Sequence, residues 1–268
     1  MIPTTRKLLL IGLVLVSAAC SRLPTRPDIP AETALAPATT GPIAERIIPA
    51  EAAHPGQSGF RLVGDGGEAY AVRARLAQAA VVSLDIQTYI WHADVTGLLI
   101  AKEALDAADR GVQVRILLDD MDARGKNKGL AALDAHDKVE VRLFNPFATR
   151  SGKVAMAGEL VGGGMKRLNR RMHNKSWIAD NRIALVGGRN LGDEYFDASE
   201  DTNFIDLDIT MAGPVVREVS ASFDRFWNSS AVWPIAALSP ELSTPEALAK
   251  LRVALAGAQA DPEAVKYE

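Results

Sequence analysis

The sequence predicts an α/β protein, with a mixed, mostly parallel sheet flanked by helices on both faces. Three observations carry that expectation. From about residue 60 to residue 228, stretches rich in apolar and β-branched side chains alternate with stretches that place small and apolar residues at helical spacing. Residues 112–118 are dominated by Val, Ile and Leu, as in a strand buried between two layers. With 268 residues, 48% of them hydrophobic, the chain has ample material for a core.

Taken in order, residues 60–63 form a first strand, and a Gly turn leads to a helix over 68–79 that offers Ala71, Leu76 and Ala79 to one face. Residues 81–90 are the next strand and 96–110 the next helix, which Gly111 terminates before the strand at 112–118. A helix at 128–136 and a strand at 139–144 follow. Residues 145–171 break the rhythm, with Gly152, Gly158 and Gly162, Gly163 and Gly164 among basic residues, and read as a loop beside a site. A strand at 172–179 turns through Asp180 and Asn181 into a second at 183–186. A polar segment at 190–203, a strand at 204–211, a helix at 215–228 and a helix at 245–256 complete the pattern.

The N-terminus reads as a targeting segment. Arg6 and Lys7 precede an apolar run at 8–16, and the small residues Ser17, Ala18 and Ala19 lead to Cys20, the single cysteine of the chain. That arrangement resembles the lipobox of bacterial lipoproteins, which implies a diacylated Cys20 and a membrane tether, with Ser21 favouring an outer membrane. Ser17 stands where Leu is usual, so an ordinary cleaved secretory signal is the alternative. Residues 21–59, rich in Pro and Ala, read as a linker, residues 60–235 as the domain, and 236–268 as a helical extension or the start of a second half.

The net charge of −3 argues against a protein that holds nucleic acid through bulk charge, so any anion site must be local. Residues 170–190 supply one. They carry His173, Lys175 and Asp180 in the spacing H-x-K-x4-D, and then Gly187, Gly188, Arg189 and Asn190. In a strand over 172–179, His173 and Lys175 share one face. An imidazole is a competent nucleophile on phosphorus, and a phosphodiester needs cations and donors around its nonbridging oxygens before a nucleophile approaches. Lys175 supplies charge, Asn190 a donor, and Arg170 and Arg171, with Lys166 and Arg167, a local basic cluster. Asp180, at the turn, suits backbone fixation better than chemistry. Glu194 is a supporting candidate, while Asp119, Asp120, Asp206 and Asp208 read as structural. Neither a cofactor nor a metal is expected: the chain has one cysteine and no H-E-x-x-H, and its other histidines are the scattered His54, His92 and His136.

These residues resemble the signature of the phospholipase D superfamily, and residues 85–91, 111–120 and 192–196 are similar to its bacterial cardiolipin synthase branch. The resemblance implies a phosphohistidine mechanism on phospholipids, with His173, Lys175 and Asp180 as motif residues. By the same resemblance Lys175 and Asn190 hold the phosphate, and Arg170 and Arg171 of the basic cluster are further phosphate-binding candidates. Larger relatives carry two such motifs and this sequence carries one. The other H-x-K, His136 to Lys138, has Leu143 where Asp is required and reads as the polar end of a helix. A complete site is therefore expected to need a second copy in a homodimer or a missing C-terminal half beyond Glu268. The alternatives are a nuclease on the same scaffold and an inactive phosphate-binding lipoprotein; the acidic balance counts against nucleic acid.

Overall fold

A computed structural model describes residues 23–123, 127–148, 165–261 and 264–267. Its centre is an eight-stranded sheet: β1 (Gly59–Val63), β2 (Ser83–Thr88), β3 (Gln113–Asp119), β4 (Val139–Phe144), β5 (Ser176–Ala179), β6 (Ile183–Gly187), β7 (Asp208–Ala212) and β8 (Val232–Pro234). The spatial order is β1-β7-β6-β5-β2-β3-β4-β8. The longer helices are α1 (Pro42–Ala53), α2 (Gly66–Ala79), α3 (Val95–Asp109), α4 (Asn127–Asp134), α5 (Val215–Trp227) and α6 (Pro245–Gln259).

The sheet is mixed and helix-covered on both faces, as the alternation predicts. The parallel pairing is narrower than expected. It joins β2 to β3 and β3 to β4, which are linked through α3 and α4, whereas the remaining strand neighbours run antiparallel. The reason is local: parallel neighbours need a long crossover, which α3 and α4 supply between β2, β3 and β4, whereas β5 and β6 are joined by a tight hairpin that returns the chain antiparallel.

Side-chain alternation divides the interior in two. Leu84 and Ile86 of β2, Val114, Ile116 and Leu118 of β3, and Trp177 of β5 pack with α2, α3, α4 and α6 in the larger core. Leu117, Ile178, Ala184 and Met211 point the other way and meet Phe223 and Trp227 of α5. Helix starts are marked by their caps: Asp65 accepts from Glu68 N at 2.7 Å, Asp94 from Gly97 N at 3.0 Å, and Thr244 from Ala247 N at 3.2 Å with Pro245 in the first turn. Gly111, at φ 97°, takes the left-handed conformation that ends α3.

The stretch read as a free linker is docked, from residue 23 onward, on the domain. Arg26 Nε donates to Val232 O at 2.7 Å, Glu32 N to Asn228 Oδ1 at 2.9 Å, and Ala34 N to Asp224 Oδ2 at 2.8 Å. Trp227 Nε1 donates to Glu32 Oε2 at 3.0 Å, and α1 buries Ile43 and Ala44. A strap held by polar side chains some 200 positions away has no periodicity of its own, which is why composition alone suggests a linker. Residues after 235 likewise belong to the same body: Leu255 and Ala264 enter the larger core, and Arg252 pairs with Asp109 at 2.6 Å. Residues 204–207 are not part of β7; Phe204, Ile205 and Leu207 project outward from the loop before it.

Candidate active site

Four chain segments meet at one end of the sheet: the end of β2, the approach to β5, the end of β6 and the approach to β7. The regular strand begins at Ser176, so His173 and Lys175 lie in the extended approach to β5 and not within a strand as expected. They converge all the same. Lys175 Nζ donates to His173 O at 2.9 Å, and the Tyr89 ring lies 4.9 Å from the His173 ring and 5.5 Å from Lys175 Nζ. His173 is exposed while Lys175 is buried, 6% accessible. A reachable imidazole thus stands over a cation withdrawn from water. Tyr89, just after β2, is the contact residue that sequence reasoning did not single out; its place two residues before Trp91, in the aromatic end of the 81–90 stretch, was the available signal.

Burial lowers the Lys175 ammonium from 10.5 to about 8, and the Asp206 carboxylate opposes that shift. Among the described residues no carboxylate stands within ion-pair distance of Lys175, so its charge is available to an incoming anion.

Asp180 is at the opposite end of β5, roughly 16 Å of extended chain from Lys175. Both Asp180 and Asn181 are left-handed, at φ 54° and 49°, and Arg182 N donates to Ala179 O at 3.0 Å to close the turn. The Asp180 carboxylate is fully buried and accepts from Val81 N, Val82 N and Ser83 N, fixing the start of β2. It therefore supports the motif from a distance and does not face His173.

Asn190 is held between two neighbours. Its Oδ1 accepts from Ile90 N at 3.1 Å and its Nδ2 donates to Tyr195 OH at 2.8 Å, which leaves one amide hydrogen for another acceptor. The preceding glycines have steric reasons. A Cβ on Gly187 would overlap the Asp208 carboxylate, itself paired with buried Arg73 at 2.9 Å, and one on Gly188 would overlap Asp206. Arg189 is buried and donates to Tyr195 O at 3.1 Å and Val63 O at 3.3 Å.

The basic cluster divides. Arg171 is internal: Nη1 pairs with the buried Asp119 at 2.9 Å, Nε donates to Leu168 O at 2.7 Å, and the guanidinium covers the Phe147 ring at 4.9 Å. Arg167 donates to Asn145 Oδ1 at 2.8 Å and Pro146 O at 2.9 Å. Arg170 is exposed on a surface cleft with Phe144 and Asn145, so it remains a phosphate candidate where Arg171 does not. Glu194 turns toward His92, 3.1 Å away. His136 pairs with Asp109 at 3.1 Å at the end of α4, away from the motif. Cys20 and residues 149–164 of the expected loop lie outside the described residues, and among those described no helix is long and apolar enough to cross a membrane.

Fold and motif together define an α/β domain that brings one histidine and one lysine together at one end of its sheet. The chain belongs to the family described as cardiolipin synthase, PLD-like domain, whose model matches residues 72–227. It is 45% identical over 193 residues to Cardiolipin synthase C of Escherichia coli (strain K12), covering 72% of this chain and 40% of that protein. Over 175 residues it is 30% identical to the Cardiolipin synthase of Staphylococcus aureus (strain Mu50 / ATCC 700699), covering 64% of this chain and 33% of that one. The chain thus spans well under half the length of these relatives. Among solved structures, NucT from Helicobacter pylori superposes with a TM-score of 0.48 at 17% identity, covering 65% of this chain and 98% of that one.

Proposed function

We propose that this chain provides one half of a phospholipase D-like active site that transfers or hydrolyses phosphatidyl groups through a phosphohistidine on His173. The observation that carries the proposal is the convergence of exposed His173 with buried Lys175, which has no ion-pair partner among the described residues, around Tyr89. In the first step an imidazole nitrogen of His173 forms a bond to phosphorus as the bond from phosphorus to the leaving oxygen breaks. Lys175 and the remaining Asn190 hydrogen offset charge on the nonbridging oxygens, and Arg170 draws the headgroup in. The leaving oxygen takes its proton from a histidine of a second motif. Water or an alcohol then attacks the phosphohistidine and restores His173.

The second motif comes from a second copy of the chain or from a further half of a longer protein. The exposed apolar residues Phe204, Ile205 and Leu207, next to the Gly188 turn, support a surface covered by that half. Diacylation of Cys20 would hold the assembly at the cell envelope, at the periplasmic face of an outer membrane, where phospholipid is within reach.

The test is turnover of labelled phosphatidylglycerol by the assembled protein, with a neutral detergent quench to trap the phosphohistidine. The expected result is an acid-labile phosphatidyl adduct in the wild type and none in His173→Ala. Equal turnover by the two would remove His173 from the reaction. Mass spectrometry of the mature N-terminus decides the diacyl group on Cys20 separately.

A further inference from the structure

Beside the motif, the turn after β2 and the loop after Asn190 are tied by an isolated bridge between Trp91 and Leu191. His92 N donates to Leu191 O at 2.8 Å, and Leu191 N to Ile90 O at 3.1 Å. This bridge brings three metal-ligating side chains together from positions 92, 94 and 194. His92 Nδ1 lies 3.1 Å from Glu194 Oε1 and 3.8 Å from Asp94 Oδ2, and one donor atom of each residue lies within 4.8 Å of the others.

Two further features favour a bound ion over a simple ion pair. Gly192 sits at the focus of the three: a Cβ there would stand 3.0 Å from both Glu194 Oε2 and His92 Nδ1 and 3.2 Å from Asp94 Oδ2. Its φ of 168° is extended backbone that any residue adopts, so glycine is needed here for space and not for conformation. Secondly, two carboxylates face one imidazole nitrogen, which has a single hydrogen to give, and their mutual repulsion is offset more fully by a dication at the focus. The carboxylate of Asp94 is already oriented, accepting from Gly97 N at 3.0 Å and Asp193 N at 2.9 Å.

We propose that His92 Nδ1, Asp94 and Glu194 bind a divalent transition-metal cation of the zinc type. A tetrahedral site with bonds of about 2.0–2.2 Å separates its ligand atoms by about 3.3–3.6 Å, which small side-chain rotations reach from the distances present. A nitrogen donor with two carboxylates suits zinc and its neighbours, whereas calcium and magnesium prefer all-oxygen sets. The partly exposed position leaves a coordination place for water. The ion acts as a positioning element. It clamps the turn containing Ile90 to the loop containing Tyr195, the two partners that orient the Asn190 amide.

Tag-free full-length chain, stripped with chelator, is titrated with Zn2+ by calorimetry and with Co2+ by visible absorption. One equivalent per chain with ligand-field bands is expected, together with a rise in Tm on adding Zn2+. His92→Gln and Glu194→Gln are each expected to weaken binding by more than about 100-fold, beyond the loss typical of an outer-shell change. Gly192→Ala is expected to abolish it, and circular dichroism checks the fold of each variant. Cu2+ electron paramagnetic resonance on the wild type depends on no variant: coupling to one nitrogen is expected. No saturable binding, unchanged affinity in folded His92→Gln, or coupling to no nitrogen would overturn the proposal. None of these readouts depends on phospholipid turnover.

Discussion

Asp180 and Val82 are joined across the sheet by a hydrogen bond of 2.7 Å from the Val82 amide to a fully buried carboxylate oxygen, which also accepts from Ser83 N at 3.1 Å. Val81 N adds a contact at 3.0 Å, and the strap joins the same turn as Ala38 N donates to Asp180 O at 3.0 Å. The third residue of the motif is therefore a staple for β2, the strand whose far end presents Tyr89.

From this staple follows a prediction about stability. Asp180→Ala leaves three backbone donors without their acceptor and is expected to cost about 3 kcal/mol, with Asp180→Asn, which keeps one oxygen, costing less. Urea unfolding midpoints measure both. If the folded Asp180→Ala protein instead loses phosphodiester binding at unchanged stability, the residue belongs to the chemistry.

Lys175 sets a pH limit. With its ammonium lowered to about 8 by burial, affinity for a water-soluble phosphodiester should fall as the pH rises through that value, by about tenfold per unit once the amine is neutral. Stability moves the other way. The native pKa lies below the unfolded one, so between about 8 and 10.5 the unfolded chain binds more protons, and the contribution of this group to stability rises with pH. Phosphorus NMR titrations at several pH values follow the affinity. Lys175→Arg should flatten the profile because a guanidinium stays charged; a wild-type profile that is flat from pH 7 to about 10 contradicts the assignment.

The two arginines before the motif should separate cleanly. Arg171→Ala strips buried Asp119 of its ion-pair partner and is expected to cost about 3 kcal/mol of stability. Arg170→Ala, on the exposed cleft, should change stability by less than about 0.5 kcal/mol and weaken binding to anionic vesicles. Thermal melts and vesicle sedimentation distinguish them; a stable Arg171→Ala with lost vesicle binding would exchange the roles of the two arginines.

How much of this was legible in the sequence depends on the range of each interaction. The helix at Val95–Asp109 announces itself through Asp94, its apolar spacing and Gly111, all within one stretch. The placement of Arg171 does not, because Arg170 and Arg171 look alike until the fold brings Asp119 beneath one of them. The strap fails for the same reason, since Glu32 acquires its meaning from Trp227 and Arg142.

By itself the sequence determined the α/β class, the order of nearly all the strands and helices, and the spacing that puts His173 and Lys175 on one site. These rest on local periods and short motifs, which neighbouring residues encode directly. Only the tertiary structure decided that Tyr89 joins the site, and that His92, Asp94 and Glu194 converge on Gly192. Those relationships link positions about a hundred residues apart, and only the pairing of β2 with β5 and the bridge from Trp91 to Leu191 bring them within bonding distance.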